Sequence, residues 1–293
     1  MGRGFLYMME SALAFTVMGV FAKLAGQSLP VAEIVFARGI VSLVLSLATL
    51  RRAGVSPWGI QRRRLVVRGL IGASGLGCLF YALRSLPLAE ATVIQYLHPV
   101  FTAVLAAVVL RERAGAGVLL SLALGVSGVL LVARPAFLFG AASAADLPPL
   151  ALLAALGGAF FSACAYVAVR HLSATEHPLV IVFYFAFVAT FASLPFAARA
   201  AVVPHGYEWA LLAGVGVAAQ LGQVALTHGL RLEPATRATA LSYLQVVFAA
   251  IAGALVFGDR PGLWTAAGAL LILAGSLVVI RDARRAPTPE PAP

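Results

Sequence analysis

The chain has 293 residues, 61% of them hydrophobic and 11% charged, with a mean hydropathy of +0.97. Soluble domains carry about 25% charged residues, so this balance excludes them and points to a polytopic membrane protein. The net charge of +10 sits in short arginine clusters between apolar runs, which argues against nucleic acid as a partner and for the lipid bilayer with its anionic cytoplasmic leaflet.

Ten apolar runs follow one another, near residues 5–25, 31–50, 66–85, 88–110, 116–134, 149–170, 178–198, 207–230, 235–257 and 262–281. Each is long enough to cross a hydrocarbon layer of ~30 Å, which takes about 20 helical residues. The first has no Ala-x-Ala exit and is read as a retained span rather than a cleavable signal. In the fourth, Pro99 frees a carbonyl one turn back and predicts a kink. Cys78 and Cys164 fall inside apolar runs, so neither a disulfide framework nor a metal site is expected. The chain divides into a first five-helix repeat at 1–134, a linker at 135–148, a second repeat at 149–281 and a disordered cytoplasmic tail at 282–293. The Pro-rich end of that tail, 286–293, is expected to be disordered.

The second repeat is written in the letters of the first. A shift of 147 lays 91–134 on 238–281 without a gap: Tyr96-Leu97 meets Tyr243-Leu244, Val100-Phe101 meets Val247-Phe248, Glu112-Arg113 meets Asp259-Arg260, and Gly128 meets Gly275. Roughly one position in three is identical, the mark of internal duplication. Arginine placement sets the orientation. With the N-terminus inside, the inner ends hold Arg51, Arg52, Arg62, Arg63, Arg64, Arg68, Arg111, Arg113, Arg170, Arg231, Arg237, Arg281, Arg284 and Arg285; the outer ends keep Arg84, Arg134, Arg199 and Arg260. Five spans per copy is an odd number, so the second copy crosses in the opposite sense. The fold class is therefore all-α: ten transmembrane helices in two inverted five-helix repeats, with both termini inside and a site between the halves near mid-membrane.

The run YALRSLPLAEATVIQYLHPVFTAVLAAVVLRER at 81–113, the Gly115 and Gly128-Val129-x-Leu131 that follow, and their second-half copies resemble the drug/metabolite transporter superfamily, specifically its ten-helix EamA-type exporters. Lys23 and Arg38 also match positions where that family often carries basic residues. The resemblance covers nearly the whole chain. It implies export of small metabolites, commonly amino acids, across the inner membrane by alternating access. Within the family the chain looks most like YddG-type aromatic amino acid exporters.

Polar side chains inside spans are candidates for function because each costs free energy unless it faces protein or water. The eighth span carries Gln220, Gln223 and Thr227 at i, i+3, i+7, one stripe expected to face a central cavity, with His228 beside it. The fourth offers Gln95, Tyr96 and His98, its copy Ser242, Tyr243 and Gln245, the sixth Ser162 and Tyr166, and the third Tyr81. Amides suit the ammonium and carboxylate of an amino acid, and aromatic faces suit an apolar side chain. For any one of these, hydrogen bonding between helices, at about 0.6 kcal/mol per contact, competes with a role in binding.

Glu10, Glu33 and Arg38 are gating or proton candidates, and protons a candidate coupling partner. Glu10 resembles the first-helix glutamate of the related small multidrug exporters; an interfacial acid is the blander alternative. Arg38 is deep enough to need an acid or helix carbonyls from another helix, since Glu33 is five residues away. His98 is a possible proton switch, with a neutral hydrogen-bonded histidine as its competitor. Glu112 and Asp259 are expected to cap the following helices or pair with the adjacent arginine. No catalytic residue, cofactor or metal is expected. The Gly-rich runs lack the Lys-Ser/Thr of a phosphate loop, and His171 and His177 lack further ligands. An intramembrane enzyme would need paired acids or a Ser–His arrangement, which His98 and His228 do not offer.

Overall fold

The structure is a computed structural model and describes residues 2–86, 88–112, 114–140, 148–200, 202–258 and 262–285. It is all-helical among these residues, with ten candidate membrane spans. They are α1 Arg3–Ala25, α2 Val31–Arg52, α3 Arg62–Ser85, a segmented α4 (Leu88–Gln95, His98–Leu105 and a π turn Ala106–Leu110) and α5 Ala116–Ala133. The second half holds α6 Pro149–Leu172, α7 Pro178–Ala200, α8 Glu208–Leu232, a segmented α9 (Ala235–Ala240, a 3-10 turn Leu241–Tyr243 and Leu244–Phe257) and α10 Leu263–Arg285. A single turn, Ala136–Phe139, lies in the connection between the halves. The readings made for Arg113, Asp259, Arg260, 141–147 and 286–293 lie outside the described residues.

Local chemistry sets the ends. In lipid the backbone must satisfy itself, which leaves helices as the form open to these runs. Proline precedes or opens α2, α6, α7 and α9, where its missing N–H costs nothing. Glu33 and Glu208 stand in first turns, and Lys23, Arg84, Arg170, Arg199 and Arg231 in last turns, each sign matched to the helix dipole. α10 continues helically through 282–285, four residues assigned above to the tail.

The packing repeats itself under the shift of 147. α1 packs on α8 as α6 does on α3; α2 on α8 as α7 on α3; α4 on α6 as α9 on α1. α2–α7 and α5–α10 each join a helix to its own copy. Individual contacts obey the same operation. A Cβ on Gly216 would overlap Val41, and one on Gly69 would overlap Val188, the image of Val41. Gly128 lies against Gly268 where α5 crosses α10, and its image Gly275 lies against Ser121. Gln61 donates through Nε2 to Thr175 Oγ1 at 2.6 Å, and the images of these two residues, Glu208 and Ser28, are also hydrogen-bonded. These small-residue crossings let backbones approach in the absence of a hydrophobic driving force between helices.

The break in α4 falls at Tyr96–Leu97, with Pro99 in the first turn of the restarted helix. α9 has Val246 in place of that proline, yet tightens at the equivalent point, where Ser242 Oγ donates to Thr239 O at 2.6 Å and Thr239 Oγ1 to Ala235 O at 2.8 Å. Side-chain bonding to the preceding turn does here what proline does in the first copy.

Gly69→Ala and Gly216→Ala should each destabilise the fold by about 1–3 kcal/mol through overpacking. Gly19→Ala, with no neighbour within 4 Å of the added methyl, should be neutral or stabilising. Melting curves in detergent, followed by size-exclusion recovery, separate the two outcomes.

Candidate functional site

Between the halves runs a narrow cleft whose walls come from α2, α3, α7 and α8. The first half contributes Val35, Arg38, Gly39, Ser42 and Leu76. The second contributes Val182, Phe185, Ala186, Ala189 and Gln223, which are those five positions shifted by 147; Gln220 completes the lining. The cleft thus lies on the axis that relates the two repeats, where an inverted duplication places its site.

Gln220 and Gln223 both line it, as the polar stripe on α8 implies. Gln220 Nε2 donates to Ser46 Oγ at 2.9 Å, leaving its Oε1 without a partner, and Gln223 Oε1 is likewise unpartnered. Thr227 is buried behind them and turns its hydroxyl back to Gln223 O at 2.8 Å. His228 stacks on Tyr7 of α1, ring centroids 5.0 Å apart. Tyr81 is 44% exposed and lines no part of the cleft.

Beside the cleft the broken helices bring a chain of rings together. Tyr96 stacks on Tyr243, its own image, at 6.0 Å, and lies 6.0 Å from His98, whose ring meets Tyr166 edge-on at 5.2 Å. His98 is buried with Nδ1 unpartnered, and Tyr243 keeps a buried hydroxyl without a partner. Gln95 Nε2 donates to Ser162 Oγ at 3.2 Å while its Oε1 has none. Ser242 is occupied within its own turn. Gln245 meets α1 through its carbonyl, which accepts from Thr16 at 3.4 Å. Native proteins pair more than nine-tenths of their buried polar atoms. Two of the unpaired ones here, Gln220 Oε1 and Gln223 Oε1, belong to residues that line the cleft.

The charged candidates separate. Arg38 lines the cleft and, among the described residues, has no hydrogen bond or ion pair, in place of the expected acid or carbonyl from another helix. Arg68, assigned above to the inner ends, instead points into the bundle from the second turn of α3. It is 2% exposed, its guanidinium lies over the Phe185 ring at 4.5 Å, and Nε and Nη1 lack partners. The Arg62–Arg64 run made it look like part of an interfacial cluster, but each helical step of 100° turns it to another face. Glu33 accepts from the Val202 N–H at 3.1 Å, at the outer end of α7. Glu10 is exposed on a stripe with Leu6, Leu13 and Val17 and does not line the cleft.

Sequence reasoning missed the interaction that ties the inner ends together. Glu112 pairs with Arg170 of α6, Nε to Oε1 at 3.1 Å; its other oxygen accepts the Ala235 N–H at 2.8 Å, capping α9. Arg170 Nη1 also donates to the Leu230 and Arg231 carbonyls at 3.2 and 2.7 Å. The outer image of Arg170 is Lys23, which rests over the Phe257 ring at 3.8 Å. α6 and α8 pack together, whereas among the described residues their images α1 and α3 do not pack comparably.

Compared with known proteins, residues 2–134 and 149–281 each match the model of the EamA-like transporter family. The chain belongs to that family. It is 37% identical over 279 residues to the pseudopaline exporter CntI of Pseudomonas aeruginosa, covering 95% of this chain and 96% of that one. It is 29% identical to human solute carrier family 35 member G1, over 94% of this chain and 78% of the relative. A protein of known crystal structure superposes with a TM-score of 0.83 at 22% identity, over 96% and 98% of the two chains, a likeness of fold. EamA-like proteins are transporters, not enzymes, and this one is a multi-pass membrane protein with ten spans.

Removing the buried Tyr243 hydroxyl, as in Tyr243→Phe, should leave stability unchanged or raise it by about 1 kcal/mol, since an unpaired buried hydroxyl carries a desolvation cost. A drop in melting temperature would show that the hydroxyl has a structural partner.

Proposed function

We propose that this protein exports small amphipathic metabolites that bear a carboxylate, amino acids among them, by alternating access between its two repeats. The observation that carries the reading is the cleft on the pseudo-two-fold axis, where Arg38 presents a cation and Gln220 and Gln223 unpaired amide oxygens in a wall that is apolar apart from Ser42. The likeness to a pseudopaline exporter supports outward transport of a small molecule. Narrower specificity for aromatic amino acids has less behind it: Tyr96, Tyr166 and Tyr243 pack within a cluster with His98 instead of lining the cleft. Proton exchange at Glu10 also lacks geometric support, because that residue sits on the exposed stripe.

Alternation follows from the unequal ends. The Arg170 tie joins the inner ends of α4, α6, α8 and α9 in the state described, while among the described residues Lys23 makes no corresponding reach to the carbonyls of α3. Opening inward would release Arg170 and let Lys23 take the equivalent role outside. Losing one member of a paired charge leaves the other uncompensated. Arg170→Gln should therefore raise the labelling of cysteines placed along the inner half of α8 by an impermeant maleimide added from the cytoplasmic side. Unchanged labelling would remove the latch from the mechanism.

Gln220→Ala and Gln223→Ala should each reduce saturable efflux from proteoliposomes about tenfold, for the loss of ~1.4 kcal/mol of hydrogen bonding to solute. Folded yield should be intact. Normal efflux in both variants would remove the stripe from the binding site.

A further inference from the structure

We propose that the exported solute is an organic anion carrying two carboxylates, and that Arg38 and Arg68 are the residues that select it. The inference rests on the exporter reading above and names its substrate class.

Among the described residues, two guanidiniums stand inside the bundle without a counter-charge. Among the described residues the ion pairs are Arg170–Glu112 and Arg237–Glu233, both at the inner ends. Arg68 has only the face of Phe185, with two of its nitrogens unpartnered and 2% of the residue exposed. An aromatic face offsets part of the cost of burying a cation, but not its charge. Phe185 lines the cleft together with Arg38, so the guanidinium that covers its ring stands at the edge of the volume that Arg38 lines.

The asymmetry of the repeats points the same way. Under the shift of 147, Arg38 falls on Phe185 and Arg68 on Val215. The fold is complete in the second half without cations at these positions, so a structural role does not require them in the first. One carboxylate would balance one guanidinium and leave the other uncompensated in a low-dielectric interior. Carboxylates fit better than a phosphate for two reasons. Phosphate sites draw on free N–H groups at helix N-termini, whereas the lining residues of α2, α7 and α8 sit inside helices with those groups already used. The cations also stand on separate helices, which suits two singly charged groups better than one doubly charged one.

The test uses the purified full-length protein with solutes that differ by one charge: glutamate against glutamine, aspartate against asparagine, iminodiacetate against glycine, and inorganic phosphate. Expected is a rise of several degrees in melting temperature at millimolar dicarboxylate with no comparable rise for the partner that has one carboxylate and no net charge. In proteoliposomes, each dicarboxylate should be preferred at least tenfold over its partner. Arg38→Gln should erase that preference while Arg38→Lys keeps part of it. If Arg68→Gln fails to fold, Arg68→Lys replaces it, and the wild-type panel alone still decides. Equal affinity for charged and uncharged partners, stabilisation by phosphate alone, or no response to any dicarboxylate overturns the proposal. Saturable efflux of the neutral partners would in that case leave the exporter reading standing. Absence of saturable efflux for every solute would sink that reading as well.

Discussion

Five spans is an odd number, and the architecture depends on that. Two copies of an odd-span unit in one chain must cross the membrane in opposite senses, so the operation that relates them is a two-fold axis in the membrane plane. Any interaction off that axis can occur twice, once near each face. The notches at Gly69 and Gly216, and the Gln61–Thr175 and Ser28–Glu208 bonds, are such doublets. Residue types have drifted while the geometry persists: a glutamate now holds a place that a glutamine holds in the other copy. What is retained is the spatial relation, because backbones packed at glycine distance cannot move apart without losing the dispersion contacts that hold helices together in lipid.

Function enters where the doublets are unlike. Across the cleft Arg38 faces the place of Phe185, and Gln223 that of Leu76, so one repeat brings charge where the other brings an aromatic ring, and amide and aliphatic side chains trade places in the same way. The resulting wall is polar at a few points and apolar elsewhere, the composition of a small-molecule site. At the inner and outer ends the inequality is of another kind. Arg170 and Lys23 are equivalent in place, and among the described residues one meets a carboxylate and two carbonyls, the other a ring.

Much of this was legible in the residues. Span number and position follow from apolar length, and the inversion from the offset of 147 together with an odd count. The i, i+3 spacing of Gln220 and Gln223 put both on one face, and both line the cleft. The rest depended on relations that local pattern does not carry. Arg68 was grouped with Arg62–Arg64 because they are near in sequence, although helical rotation separates their faces. Glu112 was expected to cap the following helix or to pair with the adjacent arginine, whereas the partners seen, Arg170 and the Ala235 N–H, lie 58 and 123 residues away. The tightening of α9 at Leu241–Tyr243 carries no proline to announce it. Glu10 was weighed by residue type, while the side of α1 on which it stands depends on packing against α8.

The stack of Tyr96 on Tyr243 has a further consequence. These two residues are each other's image, so the operation that exchanges an inward-open carrier for an outward-open one carries their contact onto itself. To a first approximation its strength cancels from the free-energy difference between the two states and enters only the barrier between them. Residues at the centre of such a molecule can therefore set how fast it turns over, while resting preference is written at its periphery, where one end differs from the other.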